Sequence, residues 1–163
     1  SWSIQALHHG AKDAWAIDAS ALALDIAKEN ARLNKVEKQF HCLQGDAFQQ
    51  LKNLAQNKER FDVVLLDPPA FIKRRHDKKE GLLGYQRINE LAMKVLEKDG
   101  LLVTSSCSLH LAEDELIGAV NWATHPKEQF TQIIAKGHQN IDHPIHPQIP
   151  ETAYLKTLFC RAT

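Results

Sequence analysis

Two short segments of this chain hold residue types that could do chemistry. One is Asp-Pro-Pro-Ala-Phe at 67–71, after the largely apolar run 61–66, and the other is Ser-Cys-Ser at 106–108, after the run 101–105. A carboxylate accepts hydrogen bonds, the prolines make 67–71 a rigid ledge, and a thiolate is a nucleophile. We expect both segments at one edge of a parallel sheet, where open α/β sheets bind ligands. This combination suits chemistry on a nucleobase.

The elements that must position these segments alternate between strand and helix. Ser20 is a typical N-cap for the second helix, in which apolar residues recur at helical spacing at Leu22, Ile26, Ala27 and Leu33. The alternation predicts an α/β fold with a mostly parallel, doubly wound, Rossmann-like sheet whose last two strands pair antiparallel. Strands are predicted at 14–17, 40–43, 63–66, 101–104, 130–135 and 154–161, helices at 3–9, 21–34, 47–57, 85–97 and 113–124, and a polar loop at 72–84.

Composition limits the classes to which the chain can belong. Its 163 residues and 44% hydrophobic content suffice for one domain, expected over 1–163. The 20 basic and 20 acidic residues balance, so nucleic-acid binding would need local patches. Three cysteines at unrelated spacings form neither a disulfide framework nor a zinc motif, which favours the reducing cytoplasm. No apolar run reaches the ~18 residues of a membrane span, so no membrane association is expected.

Acidic residues also follow the first two predicted strands, at Asp18 and Asp46. An acid in such a place can accept hydrogen bonds from both ribose hydroxyls of a nucleotide-like cofactor, and Asp18 is placed for that. Asp46 is placed to accept a hydrogen bond from the amine of an adenine that lies on Ala47 or Phe48. Each acid is equally well explained as a cap of the helix that follows it. The recurrence of an acid at three successive strand ends favours a cofactor site.

With these features the chain resembles the catalytic domain of class I S-adenosylmethionine-dependent methyltransferases, and among them the large-subunit ribosomal RNA cytosine-5 methyltransferase family. The resemblance covers most of the chain and includes the ledge, the Ser-Cys-Ser segment with His110, Asp18 and the helix at 23–34. It also includes Asp-His-Pro at 142–144, Pro-Glu at 150–151 and Tyr-Leu-Lys at 154–156. The ledge motif alone is shared by many methyltransferases of amino groups, whereas its combination with the other segments is much narrower.

The resemblance implies a cofactor, a substrate and roles for individual residues. The cofactor is S-adenosylmethionine, the substrate is ribosomal RNA, and a homodimer is one assembly that the resemblance allows. Cys107 adds to carbon 6 of a cytosine so that carbon 5 accepts a methyl group, while Asp67 stabilises the adduct. The implied cofactor contacts are Asp18, Ala19, Asp46, Ala47 and Asp67. The implied substrate contacts are Pro68, Pro69, Phe71, Lys73, Arg74, Tyr85 and Lys156.

Two departures from the family pattern matter. The family's glycine-rich cofactor turn and the strand before it have no counterpart in this sequence, so we expect the chain to be a piece of a longer protein. The absent strand would pair with the strands that end near Asp18 and Asp67, so each should have an unpaired edge. Ala70 stands where some RNA cytosine-5 enzymes carry a second cysteine, so no residue is assigned to removing the carbon 5 proton.

Three hypotheses from different classes remain open. The chain is a cytosine-5 RNA methyltransferase that uses Cys107, a methyltransferase of a base nitrogen in which Cys107 is incidental, or a non-catalytic domain that binds RNA or a partner. Cys107 has the simpler interpretation of a buried strand-end residue, which we expect for Cys42 and Cys160. The basic run at 73–79 either contacts RNA phosphates or is a solvated loop. Irregular spacing disfavours a metal site among the histidines of 138–146.

Overall fold

The computed structural model describes residues 2–125 and 130–163. The helices are α1 (Trp2–His8), α2 (Ala21–Leu33), α3 (Ala47–Gln56), α4 (Lys78–Val95) and α5 (Glu113–Thr124). The strands are β1 (Ala14–Asp18), β2 (Phe40–Gln44), β3 (Phe61–Leu66), β4 (Leu96–Ser106), β5 (Thr131–Gly137) and β6 (Lys156–Ala162). Short 3-10 helices lie at Glu37–Gln39, Arg75–Asp77 and Pro150–Thr152. None of the helices in these ranges is both long and apolar enough to cross a membrane.

The strands form two sheets, and the chain divides into two compact units. The N-terminal unit comprises residues up to Asn53 and contains β1 and β2, which are parallel. The C-terminal unit begins at Leu54 and contains four strands in the order β3-β4-β6-β5. In this sheet β3 and β4 are parallel, and β6 is antiparallel to both β4 and β5. The predicted α/β class, with parallel strands and an antiparallel C-terminal strand, is confirmed.

Strands β1 and β3 each lie at the edge of a sheet. Within the described part of the chain, β1 pairs with β2 alone and β3 pairs with β4 alone. The described strands therefore form two sheets, because no described strand pairs with both β1 and β3. The strands that end at Asp18 and Leu66 have the unpaired edges that the sequence leads us to expect.

Packing in the N-terminal unit leaves much apolar surface in contact with solvent. No residue of β1 or β2 is fully buried. On α2, three residues whose spacing predicts the helix are exposed, with Leu22 at 70%, Ile26 at 55% and Leu33 at 63%. The helix buries Leu24 and Ala31 instead. The periodicity thus predicts the helix correctly, but the recurring residues are not its buried face.

The core of the C-terminal unit is formed by the sheet with α4 and α5. Helix α4 packs against β3, β4 and α5. Leu102 and Leu158 of the sheet are 0% exposed, as are Ala92 of α4 and Leu116 of α5. Burial of a large apolar side chain contributes about 1.5–3 kcal/mol to the stability of the fold. The well-packed core therefore holds the strand ends of this unit in defined positions.

Helix α4 begins at Lys78, whereas the sequence predicts a loop up to residue 84. Gly81 and Gly84 favour that prediction, since glycine weakens a helix interior, yet both lie inside α4. A Cβ at Gly81 would clash with Ile72 Cγ1, and one at Gly84 would lie 3.1 Å from the Phe71 ring. The glycines thus allow α4 to approach the end of the ledge closely, and this packing outweighs their low helix propensity.

Candidate active site at two strand ends

Asp67 and Cys107 follow neighbouring strands and lie at the same edge of the C-terminal sheet. Asp67 comes directly after Leu66, which pairs with Thr104 of β4. Cys107 comes directly after Ser106, the last residue of β4. The Asp67 side chain is exposed, and Cys107 is half-buried. The predicted juxtaposition of an acid and a thiol at one sheet edge is therefore present.

The carboxylate of Asp67 has no local partner. Within residues 2–125 and 130–163 it forms no hydrogen bond or ion pair. The acid that accepts a hydrogen bond from the basic segment after the ledge is Asp77, which bonds to the Arg74 N–H at 3.2 Å. An ionised carboxylate has about four acceptor positions, and all those of Asp67 are available to a ligand.

The ledge is held at its C-terminal end by aromatic packing. Pro69 is exposed, and Pro68 and Phe71 are half-buried. The Phe71 ring lies with its centroid 4.8 Å from that of Tyr85, at an interplanar angle of 49°. Such pairs contribute about 1 kcal/mol beyond their burial. A base on the ledge would therefore meet a phenyl ring whose orientation is already fixed.

Tyr85 occupies the core and not the surface of the site. The sequence predicts a substrate contact for it, yet the side chain is 0% exposed. A residue without exposed surface does not reach a substrate while the fold stays intact, so the structure corrects that assignment. The hydroxyl of Tyr85 instead bonds to Ser106 and Ser108 on either side of Cys107, at 2.7 and 2.9 Å.

Lys156 anchors the turn at 107–111, which we call the Cys107 turn. It lies opposite Ser106 in the pairing of β6 with β4. Its ammonium donates to the carbonyl oxygens of Ser108 and Leu111, each at 2.7 Å. Burial lowers the pKa of Lys156, and the electrostatic influence of Cys107 and Glu115 partly offsets this effect. Lys156 is therefore near the thiol, with two of its three donors already used by the backbone.

The other two cysteines lie within strands. All three cysteines are free thiols. Cys42 belongs to β2, and burial raises its pKa. Cys160 belongs to β6 and is 0% exposed, and burial raises its pKa to about 11. Thiols that resist ionisation are poor nucleophiles, so Cys107 is the best-placed candidate among the three.

The basic run after the ledge has several different environments. Lys73 and Arg74 are exposed. Lys78 pairs with Glu115 at 2.8 Å, which ties the start of α4 to α5. Arg75 lines an open cavity of about 470 Å³ together with Lys156, His110 and neighbouring residues of the Cys107 turn. Lys73 and Arg74 thus keep their charges available to a polyanion, whereas Lys78 does not.

The candidate cofactor residues lie in the N-terminal unit and already form local contacts. Asp18 Oδ1 accepts a hydrogen bond from the Ser20 N–H at 2.8 Å, and Asp46 Oδ1 accepts one from the Gln49 N–H at 3.0 Å. Asp46 therefore caps α3, as the capping interpretation predicts, whereas the N-cap of α2 is Ser20 and Asp18 bonds to the backbone of that cap. Both side chains are exposed, and in the described residues the Oδ2 atoms accept no hydrogen bond. One oxygen of each remains for a ligand.

The donor and acceptor set of the N-terminal unit fits part of a nucleoside. A free carboxylate oxygen after β1 suits a ribose hydroxyl, and one after β2 suits an exocyclic amine. Ala19 is exposed, and Ala47 is half-buried at the first position of α3. Small side chains there leave room for a ligand beside the acids. In the ranges 2–125 and 130–163, no group of three or more His, Cys, Asp or Glu side chains is arranged to hold a metal ion.

Sequence reasoning assigned no role to Ser106 and Ser108. Both are buried and both bond to Tyr85, which lies more than twenty residues earlier in the sequence. The only signal in the sequence is a pair of hydroxyl residues flanking a cysteine at the end of an apolar strand. Buried hydroxyls need partners, so that pattern predicts a polar group on the neighbouring helix without naming it.

The fold and the paired strand ends define a Rossmann-like α/β domain of the type found in methyltransferases. SMU.776, which is described as a methyltransferase and was crystallised with SAH, superposes with a TM-score of 0.85 at 17% identity, over 98% of this chain and 42% of that protein. At this identity the likeness concerns the fold. The chain belongs to the family described as conserved hypothetical protein 95, which matches residues 1–131.

Two curated relatives are similar along nearly the whole chain. Ribosomal RNA large subunit methyltransferase I of Erwinia tasmaniensis is 33% identical over 161 residues, and its namesake from Citrobacter koseri is 34% identical over the same length. The aligned region is 98% of this chain and 41% of each relative. The chain therefore spans about two fifths of the length of these relatives.

Proposed function

We propose that this chain is an S-adenosylmethionine-dependent methyltransferase domain that acts on carbon 5 of a cytosine in large-subunit ribosomal RNA. The observation that carries the proposal is the carboxylate of Asp67, which forms no hydrogen bond or ion pair in the described residues, beside the strand end that bears the free thiol of Cys107. The names of the Erwinia and Citrobacter relatives support the methyltransferase and ribosomal RNA parts. Carbon 5 and the thiol mechanism rest on the chemistry of the two side chains.

Carbon 5 of cytosine is too weak a nucleophile to take a methyl group directly. The Cys107 thiolate forms a bond to carbon 6, which makes carbon 5 enamine-like and able to accept the methyl group. A base then removes the carbon 5 proton, and the electron pair of that C–H bond restores the ring double bond and expels the thiolate. Asp67 accepts a hydrogen bond from the amine of the base, and a proton shared between its carboxyl group and the ring nitrogen neutralises the charge that the thiolate brings into the ring. That proton leaves the ring nitrogen again when the thiolate is expelled.

S-adenosylmethionine supplies an electrophilic methyl group on a sulfonium centre. Asp18 binds ribose hydroxyls through the oxygen that Ser20 does not use. Asp46 accepts a hydrogen bond from the adenine amine, and Ala19 and Ala47 leave space for the nucleoside. Each of these acids thereby serves both as an acceptor for a nearby backbone N–H and as a ligand group.

RNA contacts come from the ledge and the basic segment beyond it. Pro68 and Pro69 form the surface under the base, and Phe71 borders it. Lys73 and Arg74, both exposed, contact backbone phosphates, and such contacts make binding depend on salt. A target cytosine in paired RNA must leave its stack to reach Cys107.

The first experiment uses the protein with the full sequence encoded by its gene, S-adenosylmethionine, and large-subunit RNA containing 5-fluorocytidine. The fluorine blocks loss of the carbon 5 substituent and so traps the covalent intermediate. We expect a denaturation-resistant adduct between protein and RNA that is absent in Cys107→Ala. Cys42→Ala is the matched control and should form the adduct as the unmodified protein does.

Two outcomes would redirect the proposal. Methyl incorporation into ordinary RNA that persists in Cys107→Ala, with no trapped adduct, would assign the reaction to a base nitrogen at the ledge. RNA binding without any methyl incorporation in the unmodified protein would favour a non-catalytic domain. The position of the methyl group, read by mass spectrometry of nucleosides, separates carbon 5 from a nitrogen acceptor.

A further inference from the structure

Three hydroxyl-bearing side chains are buried together beside Cys107. Tyr85 and Ser106 are 0% exposed, and Ser108 is 1% exposed. A hydroxyl buried without a hydrogen bond is strongly unfavourable, so these groups are tolerated only because they bond to one another. Apolar side chains of similar size would avoid that requirement altogether. Stability alone therefore does not explain why a polar cluster occupies this part of the core.

The cluster forms a ring of hydrogen bonds around Cys107. Ser106 Oγ donates to Tyr85 Oη at 2.7 Å, which leaves the tyrosine proton to donate to Ser108 Oγ at 2.9 Å. The Ser108 N–H donates back to Ser106 Oγ at 3.1 Å. Because the ring closes across the backbone of Cys107, it fixes the residues on both sides of the thiol.

The same cluster is joined to the end of the ledge by two contacts. The N–H of Ile72, which follows Phe71, donates to Ser108 Oγ at 3.2 Å. The ring of Tyr85 contacts the ring of Phe71, with centroids 4.8 Å apart. All of these residues belong to the C-terminal unit. One set of buried contacts thus holds both the ledge and the segment that carries Cys107.

We propose that Tyr85 is a positioning residue that sets the place of the Cys107 thiol relative to the ledge. The inference rests on the proposed function for the reaction that is measured. A base on the ledge reacts with the thiol only near the attack distance, and an error of about 1 Å costs about 100-fold in rate. Tyr85 acts on that distance through Ser108 and Ile72 and does not touch the substrate.

The central test is Tyr85→Phe, which removes one oxygen and keeps the ring against Phe71. We expect kcat for methyl transfer to fall about 10- to 100-fold, with KM unchanged for RNA and for S-adenosylmethionine. In the free protein we expect the backbone amides of Ile72 and Ser108 to exchange about tenfold faster, because their acceptors lose a partner. Both readouts are needed, since the second does not depend on the reaction.

Ser105→Ala is the matched control. Ser105 lies on the same strand, and its hydroxyl pairs with that of Thr157 at 3.0 Å, outside the cluster. This variant should keep the kcat and the amide exchange of the unmodified protein. Ser108→Ala breaks the same path at another atom, so it should slow the reaction as Tyr85→Phe does. The double variant should be no slower than the slower single variant, because both changes remove one coupling.

The proposal is overturned by an unchanged kcat in Tyr85→Phe, or by a lower kcat with normal amide exchange at Ile72. A loss of activity that only follows a loss of folded protein, measured by thermal unfolding, also overturns it in favour of a purely structural role. The proposed cytosine chemistry fails in a different way, because methyl transfer then persists in Cys107→Ala. In that case amide exchange in Tyr85→Phe still decides whether Tyr85 couples the two segments.

Discussion

The strand ends of the two units use polar groups in opposite ways. In the N-terminal unit Asp18 and Asp46 are exposed. One carboxylate oxygen of each accepts a hydrogen bond from a backbone N–H two or three residues later. In the C-terminal unit the polar groups are buried around Cys107, while the exposed Asp67 forms no hydrogen bond or ion pair in the described residues. The strand-end acids of the loosely packed unit thus bond to nearby backbone, whereas the strand-end acid of the well-packed unit keeps its carboxylate available to a ligand.

This difference indicates how binding and chemistry are divided. An acid that accepts one hydrogen bond from a nearby backbone N–H is held in place and still offers its other oxygen, which is enough for binding a ligand. A reactive group needs a defined position relative to a second group, which requires a rigid surrounding structure. The buried hydroxyls beside Cys107 supply that rigidity. If binding and chemistry are divided in this way, substitutions at the two kinds of strand end should differ in their effects on activity and on stability.

Asp67→Asn should separate activity from stability in the C-terminal unit. The change removes the carboxyl group that shares a proton with the ring nitrogen of the adduct, so we expect kcat/KM for methyl transfer to fall about 100- to 1,000-fold. The free energy of unfolding should change by less than about 0.5 kcal/mol, because the carboxylate has no local partner. Steady-state kinetics and urea unfolding measure the two effects. Asp62→Asn, an exposed acid earlier on β3, should change neither quantity, and a clear loss of stability in Asp67→Asn would contradict the comparison.

Asp18→Ala should lower both stability and cofactor affinity in the N-terminal unit, whereas Asp67→Asn should lower activity alone. The carboxylate is both a hydrogen-bond acceptor for the Ser20 N–H and a proposed ribose ligand, so both stability and cofactor binding should decrease. We expect S-adenosylmethionine to bind about tenfold more weakly, by isothermal titration calorimetry. Ser20→Ala is the control, because it removes only the cap to the Ala23 N–H at 3.2 Å. It should cost about 1 kcal/mol of stability and leave cofactor affinity unchanged.

Thr104→Val tests the cost of polar groups in the buried strand end. Thr104 is 1% exposed, and its hydroxyl has no hydrogen-bond partner in the described residues. Valine has nearly the same shape, so its substitution should raise the free energy of unfolding by about 1 kcal/mol. Thr157→Val removes a hydroxyl that does pair with Ser105 and should lower stability by about as much. A lower free energy of unfolding in Thr104→Val would mean that the Thr104 hydroxyl has a hydrogen-bond partner in solution.

Local patterns predicted most of the secondary structure. Helix α5 has the predicted bounds, because an acidic first turn and apolar spacing act within one segment. The predicted start of α4 was wrong. Gly81 and Gly84 weaken a helix, but here they lie inside α4 and allow it to pack closely against Phe71 and Ile72. The ledge and the Cys107 segment could be found from residue type alone, since both follow strands.

The parts that sequence did not predict depend on contacts between distant residues. The bonds of Tyr85 to Ser106 and Ser108 join residues 21 and 23 positions apart, and that from Ile72 to Ser108 spans 36. No local pattern encodes such partners, so Tyr85 was assigned to the substrate. The exposure of Leu22 likewise depends on what packs against α2 and not on the periodicity of α2 itself.

Glu115→Gln should have the smallest effect, because it tests an ion pair near the surface of the same unit. The hydrogen bond from Lys78 and the Ala112 N–H hold the pKa of Glu115 below its ordinary value. A carboxyl with a lowered folded-state pKa stabilises the fold above its unfolded pKa, and this contribution disappears as the pH falls through the folded pKa. We expect a loss of about 0.5 kcal/mol at pH 7, since Lys78 is 46% exposed and screened. In urea unfolding the difference from the unmodified protein should vanish in acid. A loss that persists below the folded pKa would mean that Glu115 acts through packing and not through charge.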